Sequence, residues 1–171
     1  MTPNLTIKPN VAKALTREAP VPDSKVEAVK KTILVVDDDS QIRDSLRKVL
    51  REEGYGVVLA ADGREGVERF NKDRIDLLLL DVNLPDMSGW DVFGSVISLD
   101  PFVPILIITG RTDQIEIVRL SGVGALIEKP FNVPMLLQTI AEKLAEPPEA
   151  HLKRLMRFNR QMLHVQPAEP N

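Results

Sequence analysis

Asp37, Asp38 and Asp81, together with Thr109 and Lys129, are the residues whose types and placement can do chemistry in this chain. Each stands where a short apolar run ends. Ile33-Leu34-Val35-Val36 runs into Asp37-Asp38-Asp39, and Leu77-Leu78-Leu79-Leu80 runs into Asp81. Ile105-Leu106-Ile107-Ile108 ends at Thr109, and Ala125-Leu126-Ile127-Glu128 ends at Lys129-Pro130. Carboxylates gathered in one place repel, so either some hold protons or a cation sits among them. A hard divalent ion with oxygen ligands is the simplest answer, and Mg2+ takes one or two carboxylates, retained waters and a phosphate oxygen. A carboxylate is also a nucleophile able to form an acyl phosphate. Phosphoryl transfer asks mostly for positioning and neutralised charge, which a metal, an ammonium and a hydroxyl supply. Lys129 and Thr109 are those remaining parts. A Walker-type Gly-rich loop is absent from the sequence, so nucleotide binding is not the expected route.

The elements that must position these groups follow from the hydrophobic pattern. Apolar runs this short, bounded by polar residues, predict strands buried on both faces of a parallel sheet. Strands are predicted at residues 32–36, 57–60, 77–80, 105–108 and 125–127. Between the first two, Ser40 is the expected N-cap of a helix with Ile42, Leu46, Val49 and Leu50 on one face, stopped by Gly54 and Gly56. Asp62 is expected to cap a second helix with Val67 and Phe70 inward, and a third passes through Trp90, Val92, Phe93, Val96 and Ile97. A short fourth is expected near 114–120, and a fifth from Val133-Pro134, with Met135, Leu136, Ile140 and Leu144 available to bury. Five strands alternating with five helices imply an α/β flavodoxin-like, doubly wound parallel sheet of order 2-1-3-4-5 with right-handed crossovers. The first and third strands then lie side by side. The functional crevice of such sheets opens beyond the carboxyl ends of the strands, where the acids, the hydroxyl and the ammonium converge.

At 171 residues the chain suits one well-buried domain with segments to spare, expected as a flexible leader (1–31), a domain (32–146) and a tail (147–171). Its hydrophobic content of 43% and charged content of 27% are those of a soluble globular protein. A net charge of -3 argues against wholesale nucleic-acid binding. Without cysteine there is no disulfide framework, thiolate metal site or cysteine nucleophile. Prolines and lysines interrupt the first 31 residues, so no secretory signal is expected. No stretch approaches the roughly 20 apolar residues that span a bilayer. A cytoplasmic protein is expected.

With these residues in place, the stretch from about Thr32 to Glu146 resembles the receiver domain of two-component response regulators. The resemblance rests on Val35-Val36-Asp37-Asp38-Asp39, then the run Leu79-Leu80-Asp81-Val82-Asn83-Leu84-Pro85-Asp86-Met87-Ser88-Gly89, then Thr109-Gly110 and Lys129-Pro130-Phe131, in order on the right strands. It implies that Asp81 accepts a phosphoryl group from a phosphohistidine on a sensor histidine kinase or histidine phosphotransfer protein. It further implies that Asp38 binds Mg2+ directly, Asp37 through water, and Asn83 through its backbone carbonyl. Lys129 then pairs with the phosphoryl oxygens, and the Thr109 hydroxyl bonds to the phosphorylated form. The Lys129-Pro130 peptide is commonly cis in the family, an isomer that proline makes accessible. Two departures bear on the family's switch. Leu126 stands where an aromatic is usual, three residues before the lysine, and the segment from Thr109 to Gly122 is shorter than the common pattern. Arg111 is expected to flank the site, where such positions tune loss of the phosphoryl group.

Taken singly, these residues have plainer readings. Asp38 or Asp39 can cap the first helix, Thr109 can be an ordinary strand end, Lys129 a solvated charge, Trp90 a packing residue, and Pro85 and Gly89 loop chemistry. Only their joint placement argues for a site. Two other functions are open on the sequence. Asp37-x-Asp39 superficially matches the opening of a haloacid-dehalogenase-like phosphatase, which leaves Asp81 unexplained and lacks a later acidic pair. A pseudo-receiver acting as a constitutive interaction module draws on Leu126. Residues 151–165 can form a basic amphipathic helix with Leu152, Leu155, Met156, Met162 and Leu163 on one side, too short for a helix-turn-helix effector. Sequence-specific DNA binding is therefore not expected, and output is expected through contact with a downstream protein or onward phosphoryl relay.

Overall fold

The computed structural model describes residues 30–110 and 124–147, together with residues 149, 150, 153 and 156. The chain runs β1 (Thr32–Val36), α1 (Ser40–Glu52), β2 (Gly56–Ala60), α2 (Gly63–Lys72), β3 (Leu77–Asp81), α3 (Gly89–Leu99), β4 (Ile105–Thr109), β5 (Ala125–Glu128) and α4 (Val133–Ala145). All strand pairs are parallel, in the order β2-β1-β3-β4-β5. The expected strand order is the observed one. The helix expected near 114–120, Arg111 and the leader up to residue 29 lie outside the described residues. Of the expected tail helix, Lys153 and Met156 are described, both helical.

Alternate side chains of each buried strand serve opposite faces of the sheet. Ile33, Val35, Leu77, Leu79, Leu106 and Ile108 pack with Leu46 and Leu50 of α1 and Leu136 and Ile140 of α4. Leu34, Val36, Leu78, Leu80, Ile105 and Ile107 pack on the other side with Val92 and Val96 of α3, and with Val67 and Phe70 of α2 at the margin. Every residue of β3 and β4 is buried, as two-sided burial of a central parallel strand demands. Trp90 packs edge-on against Phe93, ring centroids 6.2 Å apart, which makes it a packing residue of α3.

Helix boundaries follow from their caps. Asp39, not Ser40, caps α1: its carboxylate accepts from the N–H groups of Gln41 and Ile42, and Ser40 is the first helical residue. Gly54, at φ 87, takes the left-handed position just past the end of α1 that a residue with a Cβ resists. Asp62 caps α2 through the Glu65 N–H, and Asn132 caps α4 through the Met135 N–H. Among the described residues, no helix is long and apolar enough to cross a membrane.

Candidate functional site

Register sets the site. Val36 pairs with Leu80, and Asp81 pairs with Ile108, so Asp37 and Asp81 emerge from neighbouring strands within one residue of the same level. Thr109 pairs with Glu128, which brings Lys129 to the same edge from β5. The Lys129 N–H donates to the Thr109 carbonyl at 2.8 Å and ties the two ends together. The Lys129-Pro130 peptide is cis.

Both buried acids are held in the same way. Asp37 Oδ1 accepts from the N–H of Asp39 at 2.9 Å, and Asp81 Oδ1 accepts from the N–H of Asn83 at 2.9 Å. Each strand therefore ends in a tight turn in which the aspartate binds its own backbone two residues on. The second oxygen of each faces Lys129, whose Nζ donates to Asp37 Oδ2 at 2.7 Å and Asp81 Oδ2 at 2.5 Å. Asp37, Asp81 and Thr109 are only 1%, 4% and 1% exposed, whereas Asp38 faces solvent. One acid thus opens the cluster to water while two lie in its floor.

Burial is the main influence on Asp37 and pushes its carboxyl above the ordinary range. The Lys129 hydrogen bond and the Asp39 N–H oppose that push without cancelling it. Burial also pulls on Lys129, but its hydrogen bonds to Asp37 and Asp81 and the charges of both acids prevail, so its ammonium is held protonated beyond the ordinary lysine range.

Asp37, Asp38 and Asp81 each present a carboxylate oxygen, all within 4.8 Å of one another. Three acids and one ammonium, fully ionised, leave two negative charges. Hard oxygen donors, a charge of that size and one solvent-facing carboxylate fit a divalent ion such as Mg2+, which keeps waters and is bound through few carboxylates. Asp39 caps α1 through Oδ1, and the three acids that meet are Asp37, Asp38 and Asp81.

The loop after Asp81 is braced from two sides. The Gly89 N–H donates to the Val82 carbonyl at 3.1 Å. Asp86 accepts from the N–H groups of Gly63 and Arg64 at 2.8 and 3.0 Å, which fastens the loop to the first turn of α2 and holds its carboxyl below the ordinary range. Arg43, from the first turn of α1, donates through Nη1 to the Asp37 carbonyl at 2.6 Å. Neither contact is marked in the sequence, where Asp86 appears only as part of the run from Leu79 to Gly89. Asp86 reads as turn chemistry and Arg43 as a solvated helix charge, and neither partner is near in the pattern that exposes helix faces. Beside Lys129 lies an open groove of about 540 Å3, walled by Gln41, Ile42 and Ser45 of α1 and by Pro130 and Phe131.

Residues 33–141 match the family model of the response regulator receiver domain. Response regulator MprA of Mycobacterium bovis is 39% identical over 131 residues, 74% of this chain and 57% of that protein. The DNA-binding response regulator MtrA of Mycobacterium tuberculosis is 36% identical over 121 residues, 70% of this chain and 53% of that protein. This chain thus spans little more than half the length of these relatives. Among solved structures, a CheY-like receiver domain protein of Methanospirillum hungatei is 35% identical, with a TM-score of 0.64, over 72% of this chain and 98% of that one. Response regulator TrrA of Thermotoga maritima, solved in complex with Mg2+ and BeF, is 30% identical, with a TM-score of 0.62, over 66% of this chain and 98% of that one.

Proposed function

The chain belongs to the response regulator receiver domain family, and from that membership we propose that it is a phosphorylation-dependent switch whose acceptor is Asp81. The observation that carries this reading is the shared Lys129 ammonium on Asp37 and Asp81, with Asp38 completing an acidic cluster at the strand ends. In the proposed reaction a carboxylate oxygen of Asp81 attacks the phosphorus of a phosphohistidine. The P–O bond forms as the P–N bond breaks, and the imidazole leaves with the bonding pair. The donor is a sensor histidine kinase or a histidine phosphotransfer protein.

Asp38, Asp81 and the Asn83 carbonyl, with Asp37 acting through water, are the proposed protein ligands of Mg2+, supported by the clustering of the three carboxylates. When bound, the ion neutralises the acids and the phosphoryl oxygens. Lys129 holds a phosphoryl oxygen in place of one carboxylate contact, and the Thr109 hydroxyl donates a hydrogen bond to a phosphoryl oxygen of the modified side chain. The Asn83 and Gly89 N–H groups keep the acceptor turn fixed while charge moves. The receiver unit is proposed to span 32–146 and to act in the cytoplasm, by contact with a downstream protein or by passing the phosphoryl group on.

Mg2+-dependent labelling with acetyl phosphate, read by intact mass and site mapping, tests the proposal. One phosphoryl group per chain on Asp81 is expected, lost in Asp81→Asn. Labelling that persists at another residue in that variant sinks it.

A further inference from the structure

Arg43 sits among four aspartates, Asp37, Asp38, Asp39 and Asp44, yet among the described residues it makes no ion pair. Its half-buried side chain instead spends Nη1 on a main-chain oxygen, that of Asp37, at 2.6 Å. That oxygen belongs to the peptide joining Asp37 to Asp38. A peptide is planar, so fixing its carbonyl fixes the plane that carries both Cα atoms. The other restraints on this turn act elsewhere. Asp37 Oδ1 accepts from the Asp39 N–H, and the Asp37 N–H makes a long bond of 3.3 Å to the Ala60 carbonyl.

We infer that Arg43 is a positioning residue for divalent-ion binding, orienting the Asp37–Asp38 peptide so that both carboxylates reach the point they share with Asp81. The inference rests on the metal reading of the acidic cluster. It makes a prediction of definite sign, because Arg43 acts in two opposed ways. As a cation beside the cluster it repels a divalent ion, so losing the charge alone tightens binding. As a hydrogen-bond donor to the ligand backbone it preorganises the donors, and losing such outer support typically weakens metal affinity about 10-fold or more. A charged hydrogen bond this short to a half-buried carbonyl is a strong restraint, whereas a side chain in contact with water has its field screened. Positioning therefore prevails.

Calorimetric titration of Mg2+ into the unphosphorylated full chain decides the matter, with urea midpoints as the control for folding. Wild type, Arg43→Met and Arg43→Lys are compared at one ionic strength. Arg43→Met keeps most of the aliphatic stem but neither charge nor donor, and it is expected to bind Mg2+ about 10-fold more weakly. Arg43→Lys keeps both charge and a donor on a slightly shorter stem, and its affinity is expected between the two. In the metal-free protein the Asp38 amide resonance should move in Arg43→Met more than in Arg43→Lys. Unchanged or tighter Mg2+ binding by Arg43→Met overturns the inference, and if that variant does not fold, wild-type affinity in Arg43→Lys with a displaced Asp38 amide does so. Failure of the wild type itself to bind Mg2+ overturns instead the metal reading beneath it.

Discussion

Lys129 shows how single residues divide the labour at this site. Its single ammonium is shared by two carboxylates that are otherwise nearly dry, with side-chain exposures of 1% and 5% for Asp37 and Asp81. Removing one partner of a buried ion pair leaves the others uncompensated, at a cost of about 3–5 kcal/mol. Lys129→Met is therefore expected to lose stability on that scale in metal-free buffer, measured by urea unfolding. Millimolar Mg2+ should restore much of the loss, because a divalent ion can take over the neutralisation. A loss that Mg2+ leaves untouched, in a variant that still binds the ion, contradicts this account of the cluster. The same residues show what the sequence makes legible. Asp37, Asp81, Thr109 and Lys129 are readable because strand ends mark them and because a parallel sheet brings those ends together. Arg43 and Asp86 are not, because their partners are backbone groups, which have no identity in a sequence.

At the level of elements, the loop after Asp81 is held tightly because β3 and α3 come very close. A Cβ on Gly89 meets the Val82 Cα at 2.4 Å and the Asp81 carbonyl at 2.6 Å, both backbone atoms that cannot swing aside. Gly89→Ala must push α3 away from the acceptor turn, with a cost of about 1–3 kcal/mol of the kind overpacking brings. A lower urea midpoint together with slower acetyl phosphate labelling is the expected result; unaltered labelling contradicts the tight coupling of α3 to the site. The strands were each predicted to within one residue at either end, since period and burial both mark them. Helix starts were less legible. Ser40 and Asp39 are both good caps by type, and only the carboxylate contacts to Gln41 and Ile42 choose between them. Leu126 reads as a missing switch aromatic. In the fold it lies half-buried against the cluster that includes Trp90, Phe93 and Ile97, paired in register with Ile107.

Across the whole molecule the two ends of the sheet carry opposite burdens. The carboxyl end buries its acids, and that burial keeps Asp37 above its ordinary range. The amino end is fastened by Asp76, which accepts from Lys31 Nζ at 2.8 Å and the Thr32 N–H at 2.9 Å, while its own N–H donates to the Thr32 carbonyl at 2.8 Å. Burial pushes the Asp76 carboxyl up, but these two donors and the charge of Lys31 outweigh it, so the group sits below the ordinary value of 3.8. A carboxyl whose pKa is depressed in the folded state binds protons more weakly there than when unfolded. Its contribution is therefore present above the unfolded pKa and drains away as pH falls through the folded one. Asp76→Asn keeps an acceptor for Thr32 and loses the charge, so it should cost about 1 kcal/mol at neutral pH. The gap from wild type should narrow as unfolding curves are taken below pH 4. Because Asp76 stands a full strand length from Asp81, Mg2+ affinity and phosphodonor labelling should match wild type across that series. Impaired Mg2+ binding in folded Asp76→Asn means that the ends are coupled through the sheet, and the division of burdens fails.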